Sequence, residues 1–167
     1  MRSLKYALLF LLVLSAGLTF AQNQQAKKYN DKIISEQHKV TPKMIKFYQS
    51  FKTASLEDLQ KQRTMLVSML DKSLKKIKAM DGFENDTKLR DGAVELLEYE
   101  KSNLENEFKA MIPLIANKQR SKEDNEKLEK FKNELISKEE EMDSKFAKIQ
   151  EDFTARHKLI PQKQEIK

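Results

Sequence analysis

Apolar residues recur along this chain at the three- and four-residue steps of a helix, and four such stripes can be followed. The first occupies roughly residues 24 to 52, where Tyr29, Ile33, Val40, Met44, Phe47 and Phe51 step by 4, 7, 4, 3 and 4. Thr41-Pro42 interrupts it. The pair fits a kink in one long helix, and it fits equally a new helix with Thr41 as N-cap and Pro42 in its first turn. The second stripe is Leu56, Leu59, Leu66, Leu70, Leu74 and Ile77, with Met65, Met69 and Met80 beside it. It opens on Ser55-Leu56-Glu57-Asp58, a start resembling a capping box: Ser55 accepts from the Asp58 N–H and Asp58 reaches back. Asp81-Gly82 closes it, with Gly82 expected in the left-handed conformation.

After a turn at residues 83–87, the third stripe extends from Thr87 to Asn117: Leu89, Ala93, Leu96, Leu97, Leu104, Phe108, Met111, Ile112 and Ile115. Pro113 should kink or finish that helix. The fourth repeats the capped start at Ser121-Lys122-Glu123-Asp124 and continues to about Leu159 through Leu128, Phe131, Leu135, Met142, Phe146, Ile149, Phe153 and Ile160. Glu123–Lys127, Glu126–Lys130, Glu134–Lys138 and Glu141–Lys145 follow the helical i,i+4 order, each worth about 0.2–0.5 kcal/mol on an exposed face. Pro161 stops the helix and leaves residues 161–167 as a polar tail. Four one-striped helices joined by short turns predict an all-α fold. The expected architecture is an antiparallel up-down-up-down four-helix bundle over residues 22–160.

Composition agrees with the pattern. Among 167 residues there are 3 Gly, 3 Pro and no Cys or Trp, and 35% are charged. Few turn formers and many Lys and Glu favour helix over strand. Without Cys there is no disulfide, no thiolate metal site and no thiol nucleophile.

Residues 1–21 carry the three parts of a secretory signal peptide. Arg2 and Lys5 are basic, Ala7 to Phe20 is uncharged and mostly apolar, and Thr19-Phe20-Ala21 suits cleavage before Gln22. The apolar run is short of the roughly 20 residues that cross a bilayer comfortably. Export to the periplasm or cell surface is therefore expected, with no transmembrane segment in the mature chain.

Charge is unevenly spread. Residues 24–53 hold 7 basic and 2 acidic side chains (+5), and residues 55–80 hold 6 and 3 (+3). Residues 87–117 hold 4 and 6 (−2), and residues 121–160 hold 9 and 11 (−2). This asymmetry has two readings. The helices attract one another, or the first two present a basic face to another envelope protein or an anionic surface.

Candidate chemistry is sparse. The chain contains neither Glu-x-x-His nor His-Glu-x-x-His, and Phe83 stands where a calcium loop beginning at Asp81 needs Asp or Asn. In an antiparallel bundle His157 lies near Lys27 and Lys28. That leaves His38 about 16 Å along the helix and Met44 further still, so no shared haem is expected. Asp31, Ser35 and His38 share a helix face, but a triad along one helix has no free backbone N–H groups for an oxyanion. The basic run Lys72 to Lys78 has no interleaved aromatic residues for base stacking, and no nucleic-acid role is expected. The chain reads as a non-enzyme without metal or cofactor.

The stretch Tyr29-Asn30-Asp31 with Ile33, Glu36 and Gln37 resembles the opening segment of a family of small, functionally uncharacterised exported surface proteins of bacteria. The resemblance implies location and helical fold, and carries no activity. Tyr29, Asn30, Asp31, Glu36 and Gln37 are the candidate polar cluster, expected at the edge of the bundle near Arg156 and His157. Asp31 or Glu36 is expected to pair with a base from the second or last helix. The leading expectation is a non-enzymatic exported protein with a binding or structural role. The alternative is a holdase-type chaperone for unfolded envelope proteins. Seven Met and nine Phe also allow a pocket for a small lipophilic ligand.

Overall fold

A computed structural model describes residues 2–159, with side chains from Asn23 to Leu159. Its described residues form five helices: α1 (Arg2–Ser50), α2 (Leu56–Lys78), α3 (Lys88–Glu105), α4 (Glu107–Ala116) and α5 (Lys122–Arg156). The side chains of the expected leader, Ile160 and the tail at 161–167 lie outside the described set. Among the described residues no helix is long and apolar enough to cross a membrane.

Pro42 does not divide α1, which is continuous through it. Pro42 cannot donate to the His38 carbonyl one turn back, and the Thr41 hydroxyl donates back along the helix to the Gln37 carbonyl at 3.1 Å. Thr41 thus acts inside a helix and not as a cap. Ser55 and Ser121 do cap α2 and α5, each accepting from the backbone N–H three residues on. At α5 the box is complete, because Asp124 accepts from the Ser121 N–H. At α2 Asp58 takes the Ser55 hydroxyl proton at 2.7 Å.

The expected third helix is two helices, broken at Asn106. Arg63 of α2 donates to the Leu104 carbonyl at 3.1 Å, the oxygen that would accept from Phe108 in an unbroken helix. Pro113 lies inside α4, which ends three residues later at Ala116. The turn after α2 also departs from expectation. Glu84 and Asn85 carry the positive φ angles (52° and 65°), and Gly82 does not. Phe83 and Asp86 exchange both backbone hydrogen bonds at 2.9 Å, closing a tight two-residue turn. Gly82 is needed for space: a Cβ there would come within 3.0 Å of the Asp86 carbonyl.

Side-chain partners show neighbouring helices running in opposite senses. Glu36 meets Ser73 while Ser50 meets Gln62, between α1 and α2. Lys78 meets Glu98 while Asp71 meets Lys101, between α2 and α3. Asn30 meets Gln150 while Tyr48 meets Glu139, between α1 and α5. Gly92 lets α3 approach α5, since a Cβ there would sit 2.8 Å from the Ile149 δ-methyl.

The core is aliphatic along its length, with Ile33, Leu66, Leu70, Ile77, Leu97 and Leu104 fully enclosed. Rings gather at its ends. Phe47, Tyr48, Phe51, Phe108 and Phe131 pack edge-on or tilted at one end. Tyr29, Phe83, Phe153 and His157 do so at the other. Such pairs add about 0.5–1.5 kcal/mol beyond their burial.

Of the four expected Glu–Lys pairs on α5 only Glu123–Lys127 forms, at 2.9 Å. Glu126 pairs with Lys122 and Glu134 with Lys130, while Glu141 pairs with Lys138. Lys145 crosses to Glu95 of α3, where a second helix offers a carboxylate.

Candidate functional site

The five residues of the expected polar cluster lie on one helix but face different neighbours. Tyr29 packs between Phe83 and Phe153, and its hydroxyl is buried without a hydrogen bond among the described residues. Asn30 accepts from the Gln150 amide of α5 at 3.1 Å. Asp31 pairs within its own helix with Lys27 at 2.5 Å. Gln37 is half-buried and contributes its carbonyl to Thr41. Glu36 is enclosed against α2. The five therefore split between three environments, since residues six to eight apart along a helix lie about 10 Å apart.

Glu36 shows the most constrained chemistry of the group. Its carboxylate, 6% exposed as a residue, sits between Ile33 and Val40 in the middle of the apolar stripe. Burial by itself raises its pKa, but Lys39 at 2.5 Å, Lys76 at 3.3 Å and the Ser73 hydroxyl at 3.2 Å reverse the sign. The group is held ionised, with its pKa below the usual carboxylate value. The expected pairing with a base from the second helix is thus present for Glu36 and absent for Asp31.

Around this buried charge one exposed flank of α1 carries a stripe of cations. Lys28, Lys32, Lys39, Lys43 and Lys46 are all exposed. At about 100° per residue they fall within about 60° of one another, over about 27 Å of helix. Lys39 is engaged with Glu36. Among the described residues Lys28, Lys32, Lys43 and Lys46 have no ion-pair partner. Attraction between basic and acidic helices does not account for the α1–α5 seam, which is closed by Asn30–Gln150 and by Tyr48–Glu139. Both donors in those contacts are neutral, so the excess charge of α1 is turned outward.

A second site was missed by the sequence reading. Tyr48, Glu100, Glu139 and Asp143 line a cleft of about 140 Å³ between α1, α3 and α5, with Leu96 and Met44 at its base. Tyr48 donates to Glu139 at 2.6 Å. Burial, then the negative charges of Asp143 and Glu139, pushes Glu100 up to about 8. Burial likewise raises Glu139 and Asp143. The Tyr48 hydroxyl is raised by burial and by donating to Glu139. The arrangement can hold a proton near neutral pH. Its signal was available: Glu100 falls four residues after Leu96 and four before Leu104, at a core position of the stripe.

The remaining candidates do not converge. The Ser35 hydroxyl donates to the Lys32 carbonyl at 2.9 Å and Asp31 is held by Lys27, so neither orients His38, which is exposed. His157 packs on Phe83 and Phe153. In the turn after α2, Asp86 accepts from the Lys88 N–H and pairs with Arg156. Among the described residues no three carboxylate or imidazole side chains are placed to hold a metal ion. No protein-family model matches the chain, and neither a curated protein nor a solved structure matches it.

Proposed function

We propose that the chain is a non-enzymatic exported protein that docks on an anionic envelope surface through the lysine stripe of α1. In this reading α3 and α4 are two halves of one rod, and the molecule is an antiparallel up-down-up-down four-helix bundle. The observation that carries the proposal is the alignment of Lys28, Lys32, Lys43 and Lys46 on one exposed face without carboxylate partners among the described residues. Each lysine near an anionic lipid surface contributes on the order of 1 kcal/mol. The basic, apolar leader and the resemblance of the Tyr29–Gln37 stretch to exported surface proteins support the location. Interaction of Ser35 and Asp31 with their own helix supports the absence of catalysis.

The test is co-sedimentation with vesicles containing phosphatidylglycerol and with neutral vesicles. The protein should bind the anionic vesicles alone, and binding should fall steeply between about 0.05 M and about 0.5 M NaCl as screening shortens. Lys32→Glu with Lys43→Glu should abolish it without lowering the melting temperature. Equal binding to neutral vesicles, or binding indifferent to both substitutions, would sink the proposal.

A further inference from the structure

At the end of the bundle where Phe51, Phe108 and Phe131 gather, the first half of α5 is poorly covered. Met142, Phe146 and Phe153 of its second half are buried, but Leu128, Phe131 and Leu135 are only partly so. The reason is the length of the neighbours: α1 ends at Ser50 and α4 at Ala116, while α5 begins only at Lys122. A cavity of about 420 Å³ results, walled by Phe51, Ile115, Leu128, Phe131 and Leu135. That volume lies in the range of small-molecule sites, about 300–1,000 Å³, in a groove half open to solvent.

Its rim is basic. Lys52, Lys118, Arg120 and Lys132 border it, against one acid, Glu129. Glu129 is engaged by Lys132 at 3.5 Å. The Arg120 guanidinium is anchored through Nε to Asn125 and through Nη1 to the Leu114 and Ile115 carbonyls. Lys118 donates to the Lys52 backbone carbonyl at 3.1 Å, which holds its ammonium at the rim beside the segment that follows α1. An ammonium has three donors, so Lys118 keeps two for another acceptor. Lys52 has no carboxylate partner among the described residues.

An apolar recess with a pair of uncompensated ammonium groups at its mouth is complementary to one alkyl chain ending in a compact anion. We propose that this cavity binds a free fatty acid, with the chain between Phe51, Phe131 and Leu135 and the carboxylate between Lys52 and Lys118. The site is separate from the α1 lysine stripe, so either proposal can fail alone.

The experiment is displacement of a fluorescent fatty-acid analogue from the purified protein by dodecanoate, kept below its micellar concentration. Saturable one-to-one displacement at micromolar dodecanoate is expected. Lys52→Glu with Lys118→Glu should weaken dodecanoate by about tenfold or more, and leave dodecanol unchanged. Leu128→Trp, which fills the recess from a half-buried position, should weaken both. Any binding by residues 1–22 is common to all variants and cancels in the comparison. The charge reversals are at exposed positions, and a thermal melt confirms that they fold. Unsaturable displacement, or dodecanoate affinity unchanged by charge reversal, overturns the proposal. So does tighter binding of a lysophospholipid, or a dimer on sizing whose formation excludes the dye.

Discussion

Single residues decide how charge and polarity enter this interior. Glu36 is ionised inside the α1–α2 seam because two ammonium groups and a hydroxyl reach it. Glu36→Ala takes the carboxylate from Lys39, Lys76 and Ser73, whose buried hydroxyl keeps only the long 3.4 Å contact to the Glu36 carbonyl, and should cost about 2 kcal/mol in chemical denaturation. Glu36→Leu combined with Ser73→Ala should cost much less, since removing both partners leaves nothing unsatisfied. Because the folded pKa lies below the unfolded one, the stabilisation from Glu36 is present above the ordinary carboxylate value. It is lost as pH falls through the folded value. Glu100 has the opposite sign. Its pKa rises to about 8, so stability is full below the unfolded value near 4.5 and is lost as pH climbs toward 8. Glu100→Gln should therefore flatten the fall in melting temperature between those limits, gaining about 1–3 kcal/mol at the upper one. An unchanged slope in the variant would remove Glu100 from the account. Tyr29 offers a simpler case: its buried hydroxyl is unpartnered among the described residues, and Tyr29→Phe should stabilise by about 1 kcal/mol.

Elements obey their sequence signals where those signals are local. Ser55 and Ser121 start helices because an oxygen three residues ahead of an orphan N–H is enough. Pro42 is the contrary case. The buried stripe of Val40, Met44 and Phe47 continues across it, and packing outweighs the lost hydrogen bond. Pro42→Ala should accordingly raise stability by roughly 2–3 kcal/mol, measured by denaturant titration, since Ala restores the donor and removes the clash. The break at Asn106 had no such local signal. It coincides with a contact from α2: Arg63, forty-one residues before Leu104, claims the Leu104 carbonyl. The steps of seven in the stripes were legible and under-read. The skipped core positions hold Glu36, Arg63, Glu100 and Glu139. Glu36 is enclosed and the other three are half-buried, and only for Glu36 did the sequence point to a partner, a base of a neighbouring helix.

At the scale of the whole molecule, the net charge of +6 is less informative than its placement. Lysines of α2 find Glu36 and Glu98, and Lys145 of α5 finds Glu95 of α3. The exposed flank of α1 keeps its cations, which is why the vesicle test is read through α1 substitutions. The seam that an attraction of opposite charges would predict between α1 and α5 is instead made by an amide pair and a tyrosine–carboxylate contact. The Tyr29–Gln37 stretch divides for the same reason: one turn of helix rotates successive residues toward different neighbours, and no motif on a single helix records which neighbour stands where. The sequence by itself determined that the chain is helical, where α2 and α5 begin, and most of the apolar residues that line the core, because period and capping act within a few residues; Leu56, which opens the second stripe, is exposed, and Leu128, Phe131 and Leu135 are only partly covered. Only the tertiary structure decided that the Glu36 pKa is lowered and the Glu100 pKa raised, that α3 and α4 part at Asn106, and that a recess opens beside α5. Each of these depends on desolvation and partners supplied by helices distant in the chain.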